Sequence, residues 1–148
     1  MRKTILLASV AVLAVSAATS AAAGGNGAAR SGLTATTTSD TQQCQASDGS
    51  GGNGFAIVNA PGKPGSARFV NGEVSLKNAS PNATYAVTIN DGSSSSCMPE
   101  GTLTTNGQGN GNAHLNDATL VGGGTFYVVL VDSSTMKEAY ASGPVTVN

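Results

Sequence analysis

The sequence predicts an all-β domain, an antiparallel β-sandwich of about seven to nine short strands. Three observations carry this expectation. From Phe55 onward, short apolar or alternating runs are separated by clusters of Gly, Pro, Asn and Ser. None of these runs keeps the 3.6-residue period of an amphipathic helix. Only 10% of the residues are charged, and Gly, Ser, Thr, Asn and Ala dominate, a composition common among secreted β-proteins.

The elements follow in chain order. Arg2 and Lys3 lead an apolar run over 5–15, and Ala21-Ala22-Ala23 offers the small-x-small pattern that a signal peptidase cuts, so 1–23 reads as a secretory signal peptide. The run is shorter than the ~20 residues a membrane-spanning helix needs, and the expectation is a released, extracellular chain with no membrane span. Residues 24–40 read as a flexible leader, because through residue 54 Leu33 is the one sizeable apolar side chain. The β-sandwich domain is expected over 41–148. Within it, 41–46 is ordered if Cys44 is tied down, and 47–54, rich in Gly and Ser, reads as a loop.

Strands are expected over 55–59, 67–70, 73–77, 84–90, 101–105, 112–116, 125–131, 137–141 and 145–147. Tyr85, Val87 and Ile89 alternate with Ala86, Thr88 and Asn90, and Val74 and Leu76 alternate with Glu73, Ser75 and Lys77, so each of these strands should bury one face and wet the other. The run 126–131 is apolar on both faces. It is therefore the candidate central strand, covered on two sides or packed under a loop or partner. Asn71-Gly72, Asn90-Asp91-Gly92 and the segment 132–135 supply turn chemistry.

The run Asn82-Ala83-Thr84-Tyr85-Ala86-Val87 after a Pro-containing loop, the Gly-rich segment 101–111 and the closing strand 126–131 together resemble small secreted bacterial proteins with an immunoglobulin-like or transthyretin-like sandwich. The resemblance covers residues 55–147. It implies an extracellular binding or structural module and carries over no catalytic residue.

Beyond residue 23 there are five basic residues against eight acidic ones, a net charge near −3. The basic residues are scattered, which argues against nucleic acid and against an anionic membrane surface as partners. Cys44 and Cys97 are the only cysteines, and in an oxidising compartment two such residues most economically pair. Closing that loop would stabilise the fold by about 4 kcal/mol in the chain-entropy account.

Motifs that could carry chemistry are sparse. His114 is the only histidine, no Gly-x-Ser-x-Gly elbow accompanies it, and alternation places it opposite Leu115 on a solvent-facing strand position. One histidine and two paired cysteines do not make a zinc site. The eight carboxylates fall mostly in turns or at strand edges, and the chain lacks the Trp platforms usual in glycosidases. The loop from Asp48 to Gly54 fails the calcium templates, and Gly107-Gln108-Gly109-Asn110-Gly111 precedes a strand-like run, so it reads as a hairpin and not a phosphate cradle. Asn78 and Asn82 each open an N-glycosylation acceptor pattern, and in a bacterial host they read as turn residues. No cofactor is implied.

The functional expectation is a secreted non-enzymatic extracellular module that binds a protein or surface polymer or serves a structural role, using sheet faces or edges. Candidate contact residues are His114, Tyr127 and Tyr140, with the 102–116 hairpin and the 126–131 strand around them. One alternative is a carbohydrate-recognising accessory module, which requires Tyr127 and Tyr140 to be exposed together. The other is a small hydrolase or a protease inhibitor built on the loop around Cys97.

Overall fold

The computed structural model describes residues 28–36, 44–60, 70–92, 98–117 and 124–147. The signal segment 1–23, the leader residues 24–27 and 37–40, the start of the strand expected at 67 and Cys97 lie outside the described residues.

Nine antiparallel strands make up the described fold, with no helix among the described residues. They are β1 (Ala28–Ala35), β2 (Gly54–Asn59), β3 (Val70–Leu76), β4 (Thr84–Asn90), β5 (Gly101–Thr104), β6 (Gly111–Asp117), β7 (Thr125–Asp132), β8 (Lys137–Ser142) and β9 (Val145–Thr146). Hydrogen-bonded neighbours run β5-β4-β7-β8-β1-β2-β3-β6, and β9 pairs with the start of β7. The two ends of that path, β5 and β6, meet without a ladder. A Cβ on Gly101 would lie 2.8 Å from Leu115 Cδ2, and one on Gly111 would lie 2.7 Å from Leu103 Cδ2. The sheet is thus nearly closed on itself, like a barrel with one open seam.

Alternation explains what fills the interior. Val58, Val74, Leu76, Tyr85, Val87, Leu103, Leu115, Phe126, Val128 and Leu130 are all buried and point inward from the period-two pattern of six strands, β2 to β7. Tyr85 and Tyr140 meet edge to face inside, with ring centroids 5.6 Å apart. Strand β7 has the two-sided burial its composition predicts: Phe126, Val128 and Leu130 face the interior, while Val129 and Val131 belong to a second buried cluster with Cys44 and Ala141.

Three expectations are corrected. The leader expected to be flexible over 24–40 contains β1, which pairs through 28–32 with β2 and through 33–35 with β8. Backbone ladders on both sides and the complete burial of Leu33 supply the order that its composition lacks. The turn expected at Asn71-Gly72 lies inside β3. There Gly72 is opposite Val58 and Leu115, and a Cβ on it would press on Ile57 O at 3.0 Å and Ile89 Cδ1 at 3.2 Å, so this glycine serves a close approach and not a turn. Finally, Thr88 and Asn90, expected on a wet face, are buried, because the outer side of β4 and β7 is itself covered.

Candidate functional site

The outer side of β1, β2, β3 and β6 carries three cross-strand rows of outward side chains, fixed by the register. The first is Ala28, Asn59, Asn71 and Asn116; the second is Arg30, Ile57, Glu73 and His114; the third is Gly32, Phe55, Ser75 and Asn112. Neighbours within a row stand ~5 Å apart on adjacent strands, so the rows form one continuous patch. Arg30, Glu73, Asn112, His114 and Asn116 are exposed, and Phe55, Ile57, Asn59, Asn71 and Ser75 are half-buried.

Within this patch the side chains organise one another. The Arg30 guanidinium lies over the Phe55 ring, 4.0 Å from its centroid, a cation–π contact. His114 Nδ1 lies 3.3 Å from Glu73 Oε1 with the two side chains 77% and 59% exposed. A pair so open to water contributes little stability and acts as an ion pair only when the imidazole is protonated. Asn59 Oδ1 is buried and has no hydrogen-bond partner among the described residues. Two shallow depressions flank Glu73. One, of about 380 Å³, is lined by Ile57, Asn59, Asn71 and Glu73; the other, of about 270 Å³, is lined by Phe55, Glu73, Ser75, Asn112 and His114.

The outer side of β4, β7 and β8 is different. Here the segment beginning at Cys44 lies on the sheet. The Cys44 N–H donates to Glu138 Oε1, and the Tyr127 hydroxyl donates to the Cys44 carbonyl. The Ser47 N–H donates to Ser142 O at 2.8 Å and Ser47 Oγ donates to Ala141 O at 2.8 Å. A bulge between β7 and β8 makes this possible: Leu130 is opposite Tyr140 but Val131 is opposite Glu138, so Ala139 is the extra residue. Ala139 and Tyr140 both pack on the interior cluster, and the reading frame of β8 then returns Glu138 to the outside, where its carboxylate receives the Cys44 amide. Burial, then the charges of Glu138 and Asp91, raise Tyr127 above the ordinary tyrosine value of 10.0.

The structure therefore separates the three candidate contact residues. His114 lies on the open patch. Tyr140 is buried in the interior against Tyr85, and Tyr127 is half-buried on the opposite side of its sheet, under the Cys44 segment. Cys44 is 2% exposed, no described cysteine is free, and its expected partner Cys97 lies outside the described residues. The Gly-rich hairpin is organised by Asn106, whose Oδ1 accepts from the Gln108 and Asn110 amides at 3.0 Å each. Asn78 and Asn82 are exposed turn residues with φ of 55° and 54°.

Arg30, Phe55, Asn59, Asn71 and Glu73 are the patch residues that sequence reasoning left aside. A signal existed for most of them: Phe55, Ile57, Asn59 and Asn71, Glu73, Ser75 each recur at period two, as do Asn112, His114 and Asn116. Only their register, which places the three sets side by side, had to come from the fold. Among the described residues, no group of three or more His, Cys, Asp or Glu side chains is placed to hold a metal ion, and no helix is long and apolar enough to cross a membrane. Comparison with protein families, with characterised proteins and with solved structures finds no match to this chain.

Proposed function

We propose that this chain is a secreted, non-enzymatic extracellular module that binds a protein or surface polymer through the outer face of β1, β2, β3 and β6. On this reading the nearly closed sheet is a two-layered sandwich of immunoglobulin-like or transthyretin-like kind, with β2, β3 and β6 in one layer and β4, β7 and β8 in the other. The observation that carries the proposal is the set of three cross-strand rows centred on Glu73. Such a patch offers hydrogen-bond donors, acceptors and apolar surface together on a rigid scaffold, which suits recognition more than catalysis. The opposite outer face supports it from the other side, because the protein's own Cys44 segment occupies that surface. Tyr127 and Tyr140 lie on opposite sides of their sheet, so the accessory-module alternative in the form that rests on these two tyrosines is disfavoured, which leaves open what the β1, β2, β3 and β6 face itself binds.

Retention of the mature protein on the surface of the cells that produce it tests this. The paired substitution Arg30→Ala and His114→Ala, both at exposed positions, should reduce retention about tenfold, or ~1.4 kcal/mol, while leaving thermal unfolding unchanged. Retention equal to that of the unsubstituted protein would exclude this face.

A further inference from the structure

We infer that the occupant of this face is a neutral linear glycan, held in two adjacent subsites that share Glu73. This rests on the binding role proposed above. The first subsite is the depression beside Asn59 and Asn71, and the second is the depression beside Ser75, Asn112 and His114, with the Glu73 carboxylate between them. Two neighbouring sites of similar make-up on one flat face match a polymer with a repeating unit, each unit meeting the same kinds of group.

The chemistry of the lining selects hydroxyls. An asparagine amide offers two donors and an acceptor, a serine hydroxyl offers both, and a carboxylate only accepts. A sugar hydroxyl donates and accepts, so it can satisfy all three. Ile57 in one subsite and Phe55 in the other supply apolar floor for the C–H faces of a pyranose ring. The guanidinium of Arg30 holds the Phe55 ring from one side. Asn59 lines the first subsite, and its buried Oδ1 has no hydrogen-bond partner among the described residues.

Charge excludes the competing polymers. The exposed Glu73 carboxylate lines both subsites and repels phosphate, sulfate or uronate groups there, whereas the Arg30 guanidinium, which keeps its charge over the Phe55 ring, belongs to neither lining. A peptide would need either a free strand edge or a deep pocket for an anchoring aromatic. Strands β1, β2 and β3 are paired on both sides, the remaining edge of β6 is met by β5 across the packed seam, and both depressions are open to solvent.

The test measures binding of the full mature chain to neutral polysaccharides (cellulose, chitin, mannan and dextran) and to polygalacturonate as the anionic counterpart, for the unsubstituted protein, Asn71→Ala and Glu73→Gln. Binding to at least one neutral polysaccharide should weaken about tenfold in both variants and should be insensitive to added salt, since no ion pair is made. Tighter binding of Glu73→Gln to polygalacturonate, with no neutral polymer bound by the unsubstituted protein, would overturn the neutral glycan. Retention on the producing cells that survives enzymatic removal of surface glycans but is lost after protease shaving would also overturn it, while leaving the binding role in place. Retention on neither cells nor polymers would overturn both.

Discussion

At the scale of single residues, one buried carboxylate shows how the fold matches a charge that it takes out of water. Glu138 is 4% exposed, a position where an unmatched carboxylate would be costly. The bulge at Ala139 turns it to the outer face, and the Cys44 amide meets it there. Tyr127 closes the same clasp by donating to the Cys44 carbonyl. Replacing Tyr127 by Phe keeps the ring and removes the hydroxyl, so it should cost ~1 kcal/mol of unfolding free energy by urea titration at neutral pH. The pH dependence has a definite sign. Because Tyr127 is raised in the folded state, its contribution is complete below pH 10.0 and is lost as pH rises through the higher folded value, while the unfolded chain already ionises. The alkaline fall in stability should therefore be shallower in Tyr127→Phe than in the unsubstituted protein. An equal slope in the two would show that this hydroxyl is not ionising in a shielded place. None of this was legible in the sequence, since Tyr127 and Glu138 reach Cys44 only through a bulge that no residue pattern announces.

At the scale of elements, most strands from β2 onward were readable and β1 was not. The alternation of Tyr85, Val87 and Ile89 and the continuous apolar run 126–131 state their own period and burial. Strand β1 has the text Ala-Ala-Arg-Ser-Gly-Leu-Thr-Ala, in which only Ala29 and Leu33 become buried. Its order comes from two partners distant in sequence, which composition does not report. Asn71-Gly72 misled in the opposite direction, because a dipeptide that suits a hairpin turn also suits a strand whose neighbour packs where a Cβ would stand. The burial of Leu33 gives a measurable consequence. Leu33→Ala should lower the unfolding free energy by ~3 kcal/mol. It should also speed hydrogen exchange at the β8 amides that face β1 more than at the β4 amides that face β5. A loss below ~1 kcal/mol would show β1 to be a dispensable addition to the sheet.

At the scale of the whole molecule, a sheet that nearly closes has few free edges, and the one seam between β5 and β6 is filled by Leu103 and Leu115 packing against glycines. That closure leaves the outer faces of the sheet as its main open surface, and the Cys44 segment covers part of the one formed by β4, β7 and β8. Alternation makes His114 readable as a solvent-facing position, but it does not reveal that the other candidate contact residues, Tyr127 and Tyr140, are covered or buried, because period-two patterning cannot tell an outer face that is wet from one that is covered. The proposed Cys44–Cys97 staple would fasten the covering segment. Alkylation of the mature protein under denaturing conditions without reductant should add no mass, and after reduction should add two alkyl groups; two groups added before reduction would remove the staple from the account.

The position of β1 also has a temporal meaning. Its first half waits for β2, but its second half pairs Leu33 with Ser142, near the other end of the chain. A ladder joining residues so far apart in sequence cannot form until the long stretch between them has been made, and contacts of that span slow folding. The β1–β8 ladder is therefore expected late in folding. Until it forms, the half of the sheet built from β5, β4, β7 and β8 has no ladder to the half built from β2, β3 and β6.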